Sequence, residues 1–350
     1  MALDIFTEST LNDILEKVKL QNAYLSLMTA TQNATPWEAY QAISDAGRLP
    51  EVLSVGDVLT ETWTDISASP EAVHTASFKV MHFGDAEDEN GRVYHNKAFL
   101  CWTNSTPYLL PMNEKSRLEV DLTEEDTAQE NTYYVGVSDT TYTLLTVTAG
   151  DPLPTTYDKV YKLSIPCAEA VQYGYNRWKT SVFRQWLNSD APVGEWFEAD
   201  FTGHIAPPQL ASRPGFLSGF SEHFVSFLRP YKVRTLLTSD PMNEGATYED
   251  TYDRVFLPSV ENVMGVPTTP GVEGEAWDAM KALSGLSTAT NDAAASRIVY
   301  DIANPASKRA VRLRTPAADN NGKVYGLSSS GTITVDPASN TSRCTPVIRL

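Results

Sequence analysis

The densest run of oxygen ligands in the chain is Asp85-Ala86-Glu87-Asp88-Glu89-Asn90-Gly91. Hard cations such as calcium bind oxygen groups of this kind, and an EF-hand loop arranges them at alternate positions around a glycine. Here the glycine falls one place late, and Asn96 stands where that loop needs a bidentate glutamate. A solvated hairpin tip accounts for the run better. His74, His82, His95, His204 and His223 form neither a His-Glu-x-x-His pair nor any other close pair of ligands. They read as surface or hydrogen-bonded structural residues. Cys101, Cys167 and Cys344 are too few and too scattered for a disulfide framework or a zinc site, and read as buried free thiols. Gly326-Leu327-Ser328-Ser329-Ser330-Gly331 approaches a nucleophile elbow, but its spacing is one residue too long and it lies in a hairpin pattern. No glycine-rich phosphate loop with its lysine occurs. The expectation is therefore no catalytic residue, no metal site and no cofactor.

Residues that hydrogen-bond or offer flat apolar surface become the binding candidates. A scaffold of short strands commonly carries such groups on loops while its core stays fixed. Three loops qualify: the tip around Asn90, the stretch containing Asn131, Tyr133 and Tyr134, and Asp319-Asn320-Asn321. Their side chains suit sugar or protein surfaces. An ordinary polar turn is the competing reading of each.

The elements that would hold these loops are short. Thr180 or Ser181 can cap a helix with Val182, Phe183, Trp186 and Leu187 at helical spacing, and Ser221 to Leu228 repeats the device before Pro230. Arg254 to Leu257 reads as a buried strand ended by Pro258. Residues 78–83 and 98–102 flank a polar segment as a hairpin with a long tip. A second hairpin surrounds residues 138–140, and a third surrounds 328–331. Ahead of these, Leu11, Ile14, Leu15, Val18, Tyr24 or Leu25, and Met28 form an apolar helical stripe. A second helix is punctuated by a capping box, Thr35 with Glu38, by Pro36 at its first position, and by Gly47 at its end. A short helix is expected from Glu275 to Leu283. The pattern is α+β.

Five phrases recur in order through the second half: Trp178 to Asn188, Phe216 to Ser218, Asp253 to Ser259, Leu313 to Pro316, and Arg343 to Val347. Their order resembles the bacterial and phage domain of unknown function catalogued under six-two-seven-three, over a span starting near Val55. Two departures are Val311, where an aromatic residue is common, and Cys344-Thr345, which separates the closing arginine from its proline. The resemblance implies a C-type-lectin-like fold used as a binding scaffold, often on phage particles, without established enzymatic activity. The expected division is a helical segment over 1–48, for attachment or self-association, and a lectin-like domain over 49–350. That domain would carry an inserted β excursion near 105–155 and a long loop over 264–304. Sugar-binding lectins of this fold hold calcium with Glu-Pro-Asn or Gln-Pro-Asp, and neither triplet occurs. The fold also includes the formylglycine-generating oxidases, which Arg343-Cys344 faintly resembles, so a carbohydrate-active or cysteine-dependent enzyme is the alternative.

Composition fits a folded scaffold. The chain has 350 residues, 42% hydrophobic and 20% charged, with 27 basic against 44 acidic residues for a net charge of −17. Nucleic acids and anionic membranes select a positive footprint, so neither is expected as a partner. Met1 to Phe6 lacks the basic and apolar regions of a secretory signal, and no stretch has the roughly twenty apolar residues of a membrane span. The expected protein is made in a host cytoplasm and assembled into a virion as a head decoration, head fibre or tail-associated adhesin. Its partners would be other virion proteins, further copies of itself as a homo-oligomer, and a host-surface glycan or protein.

Overall fold

Alternation of apolar and polar residues over 58–102 builds the principal sheet. The computed structural model describes residues 8–29, 35–123, 125–238, 246–264, 273–281 and 297–350. Strands β1 (Val58–Asp65), β2 (Ala72–Glu87) and β3 (Val93–Trp102) run antiparallel, and β2 turns into β3 at the expected polar tip. There Asp88 Oδ1 accepts the backbone N–H groups of Asn90 and Arg92, each at 2.9 Å. The sheet continues across β3 into β16 (Val347–Arg349) and then β10 (Val255–Phe256). Val347 sits opposite Cys101 and Arg349 opposite Phe99, while Ile348 is opposite Val255 on the other side.

An aromatic layer packs on this sheet. Helix α4 (Val182–Leu187) starts where Ser181, and not Thr180, accepts the Arg184 N–H. It buries Val182, Phe183, Trp186 and Leu187. Each buried indole needs an acceptor. Trp178 Nε1 donates to Asp253 Oδ2 at 2.9 Å, and Trp186 Nε1 to the Pro214 carbonyl at 3.0 Å. Helix α5 (Glu222–Phe227) repeats the serine cap with Ser221 and adds Phe224 to a cluster with Phe78, Phe220 and Trp37. Gly219 is required by this packing, because a Cβ there would lie 2.2 Å from Trp63 Nε1. Trp178, Phe183, Trp186, Phe224, Phe256 and Leu313 are all buried, as their periodicity requires.

Smaller sheets surround this core. Strands β5 (Tyr133–Ser138), β6 (Thr141–Leu144) and β7 (Lys159–Leu163) form one with order β6-β5-β7, which has apolar clusters of its own. Its strands begin within the region near 105–155 where a β excursion was expected and run on to residue 163. Strands β8 (Tyr231–Leu236) and β9 (Tyr248–Asp253) form a ribbon. β13 (Val311–Pro316), β14 (Lys323–Leu327) and β15 (Ile333–Pro337) contain the expected hairpin at 328–331. β4 (Asn104–Ser105) pairs in parallel with β11 (Val299–Asp301), which pairs with β12 (Lys308–Arg309). Short helices α3 (Ala168–Tyr173), α6 (Val260–Met264) and α7 (Asp278–Lys281) complete the α+β arrangement. α7 is the described part of the helix expected over 275–283. Residues 282–283 and most of the loop expected over 264–304 lie outside the described residues.

Helices α1 (Glu8–Thr29) and α2 (Trp37–Asp45) depart from expectation in two ways. The Thr35 hydroxyl does not cap α2. It donates to the Thr60 carbonyl at 2.6 Å and accepts the Thr60 N–H at 3.1 Å, so the edge of β1 has recruited the group that a capping box would use. Gly47, at φ +69°, closes the helix as expected. The boundary expected after residue 48 runs through packed side chains. Trp37, Ala39 and Ile43 are buried in the same core as the sheet. Lys97 of β3, fully enclosed, donates to Ser44 Oγ at 2.6 Å and lies 3.3 Å from Asp45.

A truncation series tests this correction. Deleting residues 1–34 is expected to leave a cooperatively unfolding protein. Deleting residues 1–48 removes the Trp37 and Ile43 side chains, each of which contributes about 2–5 kcal/mol when buried, and is expected to abolish the transition. Equal denaturant midpoints for the two truncations would restore the boundary at 48.

Candidate functional site

The expected loop residues fall on three separate sheets. Asn90 is exposed at the β2–β3 tip, with its backbone fixed by Asp88. Asn131 is exposed at φ +55°, in the turn entering β5. The next two side chains point to opposite faces of that strand. Tyr133 is 38% exposed, whereas Tyr134 is 0% exposed and its hydroxyl accepts the Gln129 N–H, so Tyr134 has no surface to offer a ligand. Asp319 is exposed. Asn320 and Asn321 use their carbonyls to hold Asn176, at 2.8 Å from its amide nitrogen and 3.0 Å from its backbone N–H. None of the seven lines the cleft described next.

That cleft, about 340 Å³, opens between the β2–β3 end of the sheet, the β8–β9 ribbon and the 273–278 segment. Its floor is Phe99 and Phe256, with the Arg349 guanidinium 4.7 and 4.6 Å from their ring centroids. Arg349 Nη1 donates to the Lys232 carbonyl at 2.7 Å. One wall is Arg314, buried on β13. It donates to the Leu257 carbonyl at 2.6 Å, to Asn262 Oδ1 at 3.1 Å and to the Glu273 carbonyl at 2.5 Å. Glu273 is buried beside it, accepting from the Thr315 hydroxyl and from the Leu236 N–H at 3.1 Å. The rim is a chain of ion pairs. Arg234 bonds both oxygens of Asp250, at 2.8 and 2.9 Å, and Lys232 bonds Glu87 at 2.8 Å. His82 lies 2.7 Å from Asp278 and thereby fastens α7 to β2.

The electrostatics separate a structural interior from an exchangeable rim. Burial pushes the Glu273 carboxyl up and the Arg314 guanidinium down, while each partner's charge opposes the shift. Burial likewise lowers Arg349, to about 9, which leaves it cationic at neutral pH. The hydrogen bond from Arg234 lowers Asp250, and the bond to Glu87 raises Lys232. Asp250, held in this way, is an ionised acceptor and not a proton donor. Arg349 Nε and Trp277 Nε1 are enclosed in the cleft wall without a hydrogen-bond partner among the described residues. Enclosed donors of this kind call for an acceptor from water or from a ligand. Both atoms have almost no accessible surface, so the groups an entering molecule meets are the rim side chains Lys232, Arg234 and Glu87.

The histidines and cysteines occupy structural positions. His204 is stacked on Phe201, its Nδ1 accepting the Asp200 N–H at 3.2 Å and its Nε2 2.9 Å from Asn113 Oδ1. His95 pairs with Asp85, and His223 with Glu38, at the surface. His74 stacks on Trp63. Cys101 and Cys344 are pushed up to about 12 by burial. Among the described residues no three His, Cys, Asp or Glu side chains gather as metal ligands, and no helix is long and apolar enough to cross a membrane.

Residues 158–348, more than half of the chain, match the family described as a domain of unknown function (DUF6273). The chain belongs to this family. No curated protein and no solved structure matches it. The DUF6273 match starts at residue 158, not near Val55 as expected, and contains all five ordered phrases. It supplies Lys232, Arg234, Glu273 and Arg314 to the cleft, whereas His82, Glu87 and Phe99 come from outside it. Sequence reasoning missed these cleft residues. The available signal was an arginine set among apolar neighbours, in Val311-Arg312-Leu313-Arg314 and in Val347-Ile348-Arg349.

Two measurements follow from this geometry. Arg314→Met leaves Glu273 and Glu261 buried without their cation and is expected to cost about 3–5 kcal/mol in chemical denaturation. A loss under about 1 kcal/mol would mean the pair is solvated. The second concerns pH. His204 titrates at the ordinary 6.5 in the unfolded chain and at about 4 in the folded one, because burial disfavours its cation. Between those values the unfolded chain binds the extra proton. The stability from His204 is therefore complete above 6.5 and lost as pH falls toward 4. Relative to His204→Gln, the wild type is expected to lose about 3 kcal/mol across that window. Parallel pH–stability curves for the two proteins would refute the assignment.

Proposed function

We propose that this protein is a non-enzymatic structural component of a phage virion that presents a C-type-lectin-like binding domain. The observation that carries the binding role is the cleft of about 340 Å³ with its charged rim of Lys232, Arg234 and Glu87. A ligand with several hydrogen-bonding groups, such as a host-surface glycan or a protein segment, would bond those rim side chains. The lectin-like reading is supported by the core. The helix at Trp178 to Asn188, the strand at Val255–Phe256 and the closing strand β16 stand in the order the resemblance requires, and they pack together. Virion residence rests on what the resemblance of the ordered phrases implies, and the acidic composition fits it by favouring solubility in a crowded assembly.

The alternative, a cysteine-dependent enzyme, needs a thiolate, and the usual route to one is a lowered pKa in an electropositive, accessible site. Cys344 is enclosed and Cys101 half-buried, and both are shifted the opposite way. That supports the non-enzymatic reading. Mass spectrometry of purified particles tests it. The chain is expected among the virion proteins, at the depth that detects minor tail components, and its absence there overturns the proposal.

A further inference from the structure

Helix α1 has two apolar faces. On one, Ala23 is buried in the core and Leu20, Tyr24 and Leu27 pack against it, with the Tyr24 hydroxyl donating to Glu51 at 2.7 Å. On the opposite side Leu11, Ile14, Val18, Leu25 and Met28 are exposed, by 43% to 84%. A helix lying on a globular body ordinarily shows one such stripe, and the first face already supplies it. The second face repeats every seven residues. Leu11, Val18 and Leu25 fall at the a positions of a heptad, and Ile14, Gln21 and Met28 at its d positions. Moreover, every side chain from Leu11 to Lys19 is exposed. A stretch that short is marginal as a helix in water without a packing partner.

We propose that further copies of this chain cover that face, with their α1 helices joined in a parallel coiled coil. A seven-residue repeat is self-complementary when identical helices meet in register, a with a and d with d, and Gln21 then meets its own counterparts. Charge on the helix itself does not oppose that occupant: the whole chain carries −17, so two bodies repel, but along α1 Asp13 and Glu16 are balanced by Lys17 and Lys19, and the heptad a and d positions carry no charge. Leucine at a with isoleucine at d, the Leu11–Ile14 pairing, favours three or more strands over two.

Sedimentation equilibrium on the full chain over a concentration series tests the proposal. The expected mass is that of three or more chains at the upper concentrations. Val18→Glu is expected to give single chains with an unchanged unfolding midpoint, since that side chain is exposed in one copy. Gln21→Leu is expected to move assembly to roughly tenfold lower concentration. A single-chain mass throughout the series overturns the proposal, and so does an oligomer indifferent to Val18→Glu. The virion reading fails separately: a protein absent from particles yet oligomeric through α1 would sink that reading and keep this one.

Discussion

A guanidinium cannot shed its charge inside a protein, so wherever it is buried the chain must bring carbonyls and carboxylates to it. Arg314 imposes that demand at the centre of this molecule. Its acceptors come from Leu257, just after β10, from Asn262 in α6, and from Glu273. Glu273 in turn takes the Leu236 N–H and the Thr315 hydroxyl, and Glu261 takes the Glu273 N–H at 2.9 Å. One buried cation thus fixes where β8, α6 and the 273–277 segment meet. The cleft is the space left between them and the sheet. Arg314 and Arg349, which brace its walls, also line it.

The principal sheet depends on a second constraint of the same kind. β16 is three residues long and lies between β3 and β10, so it joins the part of the chain before residue 103 to the part after 254. Short strands contribute few ladder bonds, and here the side chains supply the difference. Val347 and Ile348 are buried, and Arg349 spans the rings of Phe99 and Phe256 from the two neighbouring strands. The matched family segment contains β10 and most of β16 but not β3. In this chain, therefore, the family segment is not a self-contained packing unit. Its sheet is completed by strands that precede it, and α2 packs on those strands through Lys97 and Ser44.

This explains which features were legible in the sequence. Ser181 and Ser221 were readable as caps because a serine oxygen and an N–H three residues on are determined locally. The hairpins at 138–140 and 328–331 were readable for the same reason. Thr35 has the same local credentials as Ser181, yet its hydroxyl is bonded to Thr60, twenty-five residues away, and no local pattern contains that competitor. The cleft is the extreme case. Lys232 meets Glu87 across 145 residues, and His82 meets Asp278 across 196. Each side chain alone reads as an ordinary surface charge. Only topology turns them into a rim. Tyr133 and Tyr134 show another limit: the strand was read correctly, but which of two neighbours faces solvent depends on the sheet it joins.

Burial of charged groups also bears on what the composition means. A net charge of −17 counts every lysine and arginine equally, but Lys97, Arg297, Arg312 and Arg314 are all buried. Their charges are spent on internal carbonyls and carboxylates and are screened from outside. Asp65, Asp253, Glu261, Glu273 and Asp301 are buried as well, so burial removes charge of both signs and leaves the surface about as acidic as the composition implies. Such a surface disfavours close approach of another acidic body except where the field is weak. Two places meet that condition. One is the cleft, where Lys232, Arg234 and Arg349 offset the carboxylates around them. The other is the exposed side of α1, which carries leucine, isoleucine, valine and methionine in place of charge. The buried arginines therefore hold the fold, and because charges of both signs are buried with them, the local arrangement of charge at the cleft and along α1 decides how favourable contact is there.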